Sequence, residues 1–237
     1  MIDKVPSGAI VVDKLLAGGF ERGIITTVYG QAGSGKSNIS LLVTKQVAST
    51  GKKVVFVDTE GSFSLERFAQ LDEKNSEQWL KNILILNPAT FDEQKKVFTK
   101  LRDTVNAEKV GIIIVDSIAM LYRLQKGAEE TIQTTNKEMA NQLAILSEIA
   151  RKKNIPVVVT NQVYADFENK DDVRMVGGDL LKYWSKCIVK LEITESGQRK
   201  ASIYKHRSLP PGNPVFFEII NNGLKEVSEQ KKKFSLF

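Results

Sequence analysis

The chain has 237 residues, 42% apolar and 26% charged, with a net charge of +6 at neutral pH. That content suits one large α/β domain with its own core and excludes a largely disordered chain. No apolar run approaches the roughly 20 residues of a membrane helix, and the start, Met1-Ile2-Asp3-Lys4-Val5-Pro6, has no apolar stretch and no small-residue cleavage site. The lone cysteine, Cys187, cannot form an internal disulfide, and its neighbours Ile188 and Val189 mark it as a packed strand residue. A reduced cytoplasmic setting without membrane contact is expected.

In chain order, Ile24–Tyr29 reads as a buried strand running into a glycine-rich loop, followed by a helix from about Lys36 to Ser49. Gly51 ends that helix and Lys53–Val57 is the next strand. Helical pattern covers Ser64–Lys74 and, after a strand at Ile83–Leu86, Phe91–Asn106. Val110–Val115 is apolar throughout, as a strand covered on both faces must be. Between Asn136 and Lys153 the residues Met139, Leu143, Leu146 and Ala150 share one helical face, and Pro156 stops the pattern before a central strand at Val157–Val159. After Gly177-Gly178, the stretches Cys187–Ile193, Lys200–His206 and Val215–Ile219 read as short antiparallel strands, with turns at Ser196-Gly197 and Pro210–Asn213. No internal repeat or linker divides the chain. One core domain over residues 1–227 is expected, with a basic, mobile tail at 228–237.

The phosphate signal is Gly30-Gln31-Ala32-Gly33-Ser34-Gly35-Lys36-Ser37, a full match to G-x-x-x-x-G-K-[ST]. Glycines let successive backbone N–H groups turn towards phosphate oxygens, Lys36 adds a point charge and Ser37 offers a hydroxyl to Mg²⁺. Because the match follows a strand and opens a helix, ATP with Mg²⁺ is the expected ligand, held by Gly30 through Ser37 with Asn38. Two further strands end in acids where open α/β sheets bind ligands: Val54-Val55-Phe56-Val57-Asp58-Thr59-Glu60 and Ile112-Ile113-Ile114-Val115-Asp116-Ser117. Asp116 suits the carboxylate that holds Mg²⁺ with Ser37, and Glu60 suits the base or orienter of an attacking water. Either acid alone would read as a helix cap or a solvated strand end. Val157-Val158-Val159-Thr160-Asn161-Gln162 ends in an amide that either positions the water or satisfies local backbone. Lys36, Glu60 and Gln162 are therefore the catalytic candidates.

These pieces together resemble the RecA/RadA recombinase family, and most closely its short archaeal branch. The resemblance is carried by Leu15-Leu16-Ala17-Gly18-Gly19-Phe20-Glu21-Arg22-Gly23, the phosphate loop, Asp58-Thr59-Glu60-Gly61-Ser62-Phe63, Val115-Asp116-Ser117, Leu121-Tyr122-Arg123 and Thr160-Asn161-Gln162-Val163. It implies a RecA-like P-loop NTPase core: an α/β fold with a mostly parallel central sheet flanked by helices, and C-terminal antiparallel strands. It further implies that Glu60 is the catalytic carboxylate and that Gln162 couples nucleotide state to the loop after it. Tyr122–Thr135 and Tyr164–Gly178 would face DNA, with Arg123, Lys126, Lys170 and Arg174 as the contacts. Because the sequence starts almost at the ATPase core, it is expected to lack the family's helix-hairpin-helix DNA-binding domain and the Phe-bearing linker that precedes the core. Its second DNA-facing segment is acidic, with Asp166, Glu168, Asp171 and Asp172 against Lys170 and Arg174. That charge opposes phosphate contact.

The basic excess gathers late, since residues 179–237 carry 11 Lys/Arg against 6 Asp/Glu. Lys205-His206-Arg207 resembles a pair that DnaB-type ring helicases place on the next subunit's ATP, and Lys-x-Arg on a strand puts both cations on one face. Lys205 and Arg207 are trans-acting candidates, or else a solvated basic strand end. The tail Phe234-Ser235-Leu236-Phe237 loosely resembles sliding-clamp peptides, or simply solubilises the chain. The resulting expectation is an accessory ATPase of homologous recombination and DNA repair with slow turnover, in the cytoplasm at the nucleoid. Its partners would be single-stranded or branched DNA, a RadA-type recombinase or a Holliday-junction nuclease, and further copies of itself. The rival readings are an autonomous strand-exchange recombinase, a KaiC- or DnaB-like ring-forming ATPase, and a nucleotide-switched scaffold.

Overall fold

The computed structural model describes residues 3–124, 129–165 and 173–230, without the side chains of 129–132, 164–165 and 173–174. Before the phosphate loop come β1 (Lys4–Val5), α1 (Ile10–Leu15) and β2 (Phe20–Glu21), with β1 and β2 paired antiparallel. The next elements are β3 (Ile25–Gly30), α2 (Lys36–Ala48), β4 (Lys53–Asp58), α3 (Leu65–Leu71), α4 (Ser76–Leu80), β5 (Ile83–Leu86) and α5 (Phe91–Ala107). They are followed by β6 (Val110–Asp116), α6 (Met120–Leu124), α7 (Glu129–Lys153), β7 (Val157–Ala165), β8 (Val173–Met175) and α8 (Gly178–Trp184). The chain then forms β9 (Cys187–Ile193), β10 (Arg199–His206), β11 (Val215–Ile220) and β12 (Gly223–Val227). The large sheet runs β12-β11-β10-β9-β3-β7-β6-β4-β5, with β8 paired to β7.

Alternation along the central strands explains two cores, because successive side chains leave opposite faces. Val54, Phe56, Ile112, Ile114 and Val158 pack with α1, α2 and α3 on one face. Val55, Val57, Ile113, Val115, Val157 and Val159 pack with α5 and α7 on the other. The contiguous apolar runs read from the sequence are these doubly covered strands. Gly111 lets α2 come close to β6: a Cβ there would lie 2.6 Å from Val47 Cγ1.

Three expectations are refined by the structure. The helix expected over Ser64–Lys74 ends at Leu71, and a separate helix follows at Ser76–Leu80. Ser64 caps α3 by accepting from Arg67 N at 3.0 Å, but Asp72 leaves helical geometry and its carboxylate accepts from Asn75 N, so the chain restarts as α4. The late strands pair antiparallel with one another as expected, and β9 in addition runs parallel to β3, so it joins the hairpins to the parallel sheet. Residues 228–230 of the expected mobile tail are held, because Gln198 Nε2 donates to Ser228 O and Gln230 N donates to Gln198 Oε1. The rest of that tail, with Phe234–Phe237, lies outside the described residues. No described helix is long and apolar enough to cross a membrane.

Parallel register brings the strand ends level. Gly30 pairs with Gln162 of β7 and Leu191 of β9, while Asp58 pairs with Asp116. Five chain segments far apart in sequence thus meet along one rim of the sheet.

Candidate active site

The phosphate loop joins β3 to α2 and is shaped by its glycines. A Cβ on Gly30 would lie 2.4 Å from Leu191 O and 2.8 Å from Ser34 Oγ, so only hydrogen fits. Gly35 stands before α2 at φ +107°, a left-handed geometry that residues with a side chain rarely adopt. Helix α2 begins at Lys36, so its first-turn N–H groups lack intrahelical acceptors. Lys36 folds back across the loop, Nζ donating to Gly30 O at 2.9 Å and Gln31 O at 3.0 Å. Burial pushes its pKa below the ordinary lysine value, opposed by the negative charges of Asp116 and Glu60. Ser34 Oγ is buried with no partner among the described residues. Asn38 differs from expectation in its side chain, whose Oδ1 accepts from Arg67 Nε at 2.9 Å. Arg67 also donates to Ile220 O and Asn221 O, tying α2 and α3 to the β11–β12 turn.

Asp116, 1% exposed, lies at the end of β6. Thr160 Oγ1 donates to its Oδ1 and Ser62 Oγ to its Oδ2 at 2.8 Å, and Ser37 also hydrogen-bonds to it. Burial raises its pKa, the three hydroxyls pull it back, and Glu60 pushes it up again. The peptide bond between Asp116 and Ser117 is cis.

Glu60 sits beside this group on the loop after β4. Its Oε1 accepts from Ser117 Oγ, and its Oε2 accepts from Gln162 Nε2 at 2.9 Å. Asp58 builds that loop: its carboxylate accepts from the backbone N–H groups of Glu60, Ser62 and Phe63. Thr59 Oγ1 donates to Ser117 O while accepting from Ser117 N. The expected Lys36, Ser37, Glu60, Asp116 and Gln162 therefore converge. Asp58, Ser62, Ser117 and Thr160 were not singled out for roles, although each lies inside a motif block that was.

A nucleoside triphosphate with Mg²⁺ fits these residues. The donor set is right: a buried ammonium, a run of loop N–H groups, a buried hydroxyl lacking a partner, and one carboxylate beside the Ser37 hydroxyl. A groove of about 280 Å³ between α5 and α7, lined by Arg102, Val105, Glu148 and Ile149, shares no residue with it.

The remaining candidates are placed separately. Lys205 lies in β10 just after a register shift between Ile203 and Lys205, and Arg207 follows that strand's last residue. Lys205 Nζ donates to Lys182 O at the end of α8, whereas Arg207 pairs with the buried carboxylate of Glu21 in β2. Arg123, at the end of α6, donates from NH1 to Gln162 Oε1 at 3.3 Å. Lys126, Lys170 and the side chain of Arg174 lie outside the described residues.

The Rad51 family model matches residues 1–227. The DNA repair and recombination protein RadB of Methanococcoides burtonii is 41% identical over 216 residues, covering 90% of this chain and 94% of that protein. The chain belongs to the RadB branch of the Rad51 family. The RadB protein of Methanococcus maripaludis strain C7 is likewise 41% identical, over 92% of this chain and 99% of its own length. A solved structure described as the crystal structure of the RadB recombinase superposes with a TM-score of 0.80 at 36% identity, covering 94% of this chain and all of the other. This RadB-branch chain thus has the RecA-like core that the sequence blocks implied, with its specific blocks concentrated around the site just described.

Proposed function

We propose that the protein is an ATP- and DNA-binding ATPase of homologous recombination and DNA repair. In this reading it turns over slowly and assists a RadA-type recombinase or a junction nuclease rather than exchanging strands alone. The observation that carries it is the convergence of Lys36, Ser37, Asp116, Glu60 and Gln162 on one rim of the sheet. The names of the relatives support the process.

In the mechanism, the loop N–H groups and Lys36 would hold the triphosphate, and Ser37 with Asp116 would hold Mg²⁺, which would neutralise charge at the phosphates. Asp116 is held in place by Thr160 and Ser62, so its orientation does not depend on the ligand. Glu60 orients a water and takes its proton, with both oxygens already aimed by Ser117 and Gln162. The acidic run Asp166, Glu168, Asp171 and Asp172 supports weak DNA contact at that segment. Further copies of the chain belong to the same proposal, with Lys205 and Arg207 reaching a neighbour's nucleotide only after leaving Lys182 and Glu21.

The test is ATP hydrolysis with and without single-stranded DNA, using Lys36→Ala as the blank. Slow, Lys36-dependent turnover with little DNA response is expected. Strong stimulation by DNA would favour an autonomous filament-forming recombinase instead.

A further inference from the structure

Glu60 is not held by its own backbone loop alone. Its Oε2 depends on the amide of Gln162, and that amide has a second contact: its Oε1 accepts from Arg123 NH1 at 3.3 Å while its Nε2 donates to Glu60 at 2.9 Å. An amide has one acceptor end and one donor end. Turned over, it would set its carbonyl against the Glu60 carboxylate and its NH₂ against the guanidinium, two repulsive contacts in place of two attractive ones. Arg123 therefore selects the orientation in which Gln162 can serve Glu60. Burial of Leu121 and Tyr122 anchors the backbone of α6, which carries Arg123 with its side chain exposed.

We infer that Arg123 is a positioning residue for Glu60, acting through the side-chain amide of Gln162. The inference rests on the hydrolytic reading above and names a residue that touches neither the phosphate loop nor Asp116 in the contacts described. An exposed contact of this length contributes little to stability. Its effect lies in the fraction of molecules whose Glu60 is aimed correctly, which is a turnover effect, because misplacing a reacting group is costly in rate.

The experiment compares wild type with Arg123→Ala, Arg123→Lys, Gln162→Ala and the Arg123→Ala/Gln162→Ala double variant, reading kcat, KM for ATP and the chemical-denaturation midpoint. Arg123→Ala should lower kcat about two- to fivefold, with KM within about twofold and an unchanged midpoint. Arg123→Lys, which keeps one cationic donor, should recover part of the loss. The double variant should be no slower than Gln162→Ala alone, since residues that act as one unit are not additive. Additive losses, a change confined to KM, or an unaltered kcat in Arg123→Ala would each overturn the inference while leaving Lys36-dependent hydrolysis intact. No Lys36-dependent turnover in the wild type would overturn the hydrolytic reading itself, and this inference with it.

Discussion

Burial makes the charge of Lys36 unfavourable, and the nearby Asp116 and Glu60, with the carbonyls of Gly30 and Gln31, offset this. Lys36 therefore loses its proton as pH rises through a value below the free-lysine one. Phosphate binding uses the charged form, so ATP affinity should begin to fall on the alkaline side earlier than a surface lysine would dictate. Titrating a fluorescent ATP analogue from about pH 7 to about pH 10.5 checks this. Wild type should weaken steadily, and Lys36→Ala should be weak and flat. Parallel slopes would assign the effect to another group. At this scale the sequence was informative about which groups carry chemistry, since Lys36, Asp116 and Glu60 stand in short motifs. It was silent about what aims them: Thr160 lies 44 residues from the Asp116 it serves, and Gln162 lies 102 residues from Glu60.

Strand β3 shows how an element carries a site. Its last residue is wedged between β7 and β9, with Leu191 O where a Gly30 Cβ would have to stand. Gly30→Ala should cost about 1–3 kcal/mol, because the obstacle is backbone and cannot swing aside. It should also weaken ATP binding, since the loop and β9 move together. Gly212→Ala is the control: a Cβ there meets nothing within 4 Å, and its cost should be near zero. Denaturation midpoints with nucleotide titrations read both effects, and equal midpoints for the two variants would refute the argument. The motif required a glycine at position 30 for phosphate access, but the pressure from Leu191 was not visible in it. That contact exists because β9 lies parallel beside β3, whereas the alternating pattern after Gly178 matched a set of antiparallel hairpins.

At the scale of the molecule the sheet divides the interior in two, and the phosphate loop belongs to one side. Phe217 of β11 is fully buried in the core that includes Leu42, Val28 and Leu191, and its ring lies beneath Gly35. Phe98 of α5 is as well buried in the opposite core. Truncating either to alanine should cost about 3–5 kcal/mol. Only Phe217→Ala should also loosen ATP binding under conditions where both variants remain folded, because only that ring supports the start of α2. Equal nucleotide affinities in the two variants would show that the loop does not depend on the core beneath it.

The amino-acid sequence by itself determined the chemistry and the fold class. Strand and helix periods, a glycine-rich loop opening a helix, and acids at strand ends are local patterns set by backbone geometry and burial within a dozen residues. The tertiary structure alone decided how those pieces face one another. It ended the helix begun at Leu65 at Leu71 and started another at Ser76, ran β9 parallel to β3, and turned Asn38 to Arg67, which also reaches Ile220 O and Asn221 O more than 150 residues away. It also separated Lys205 and Arg207 onto different anchors, and it linked Arg123 to Glu60 through Gln162. The physical reason is that a strand's own residues specify that it is buried on both faces, while its neighbours are chosen by packing the whole sheet between two layers of helices.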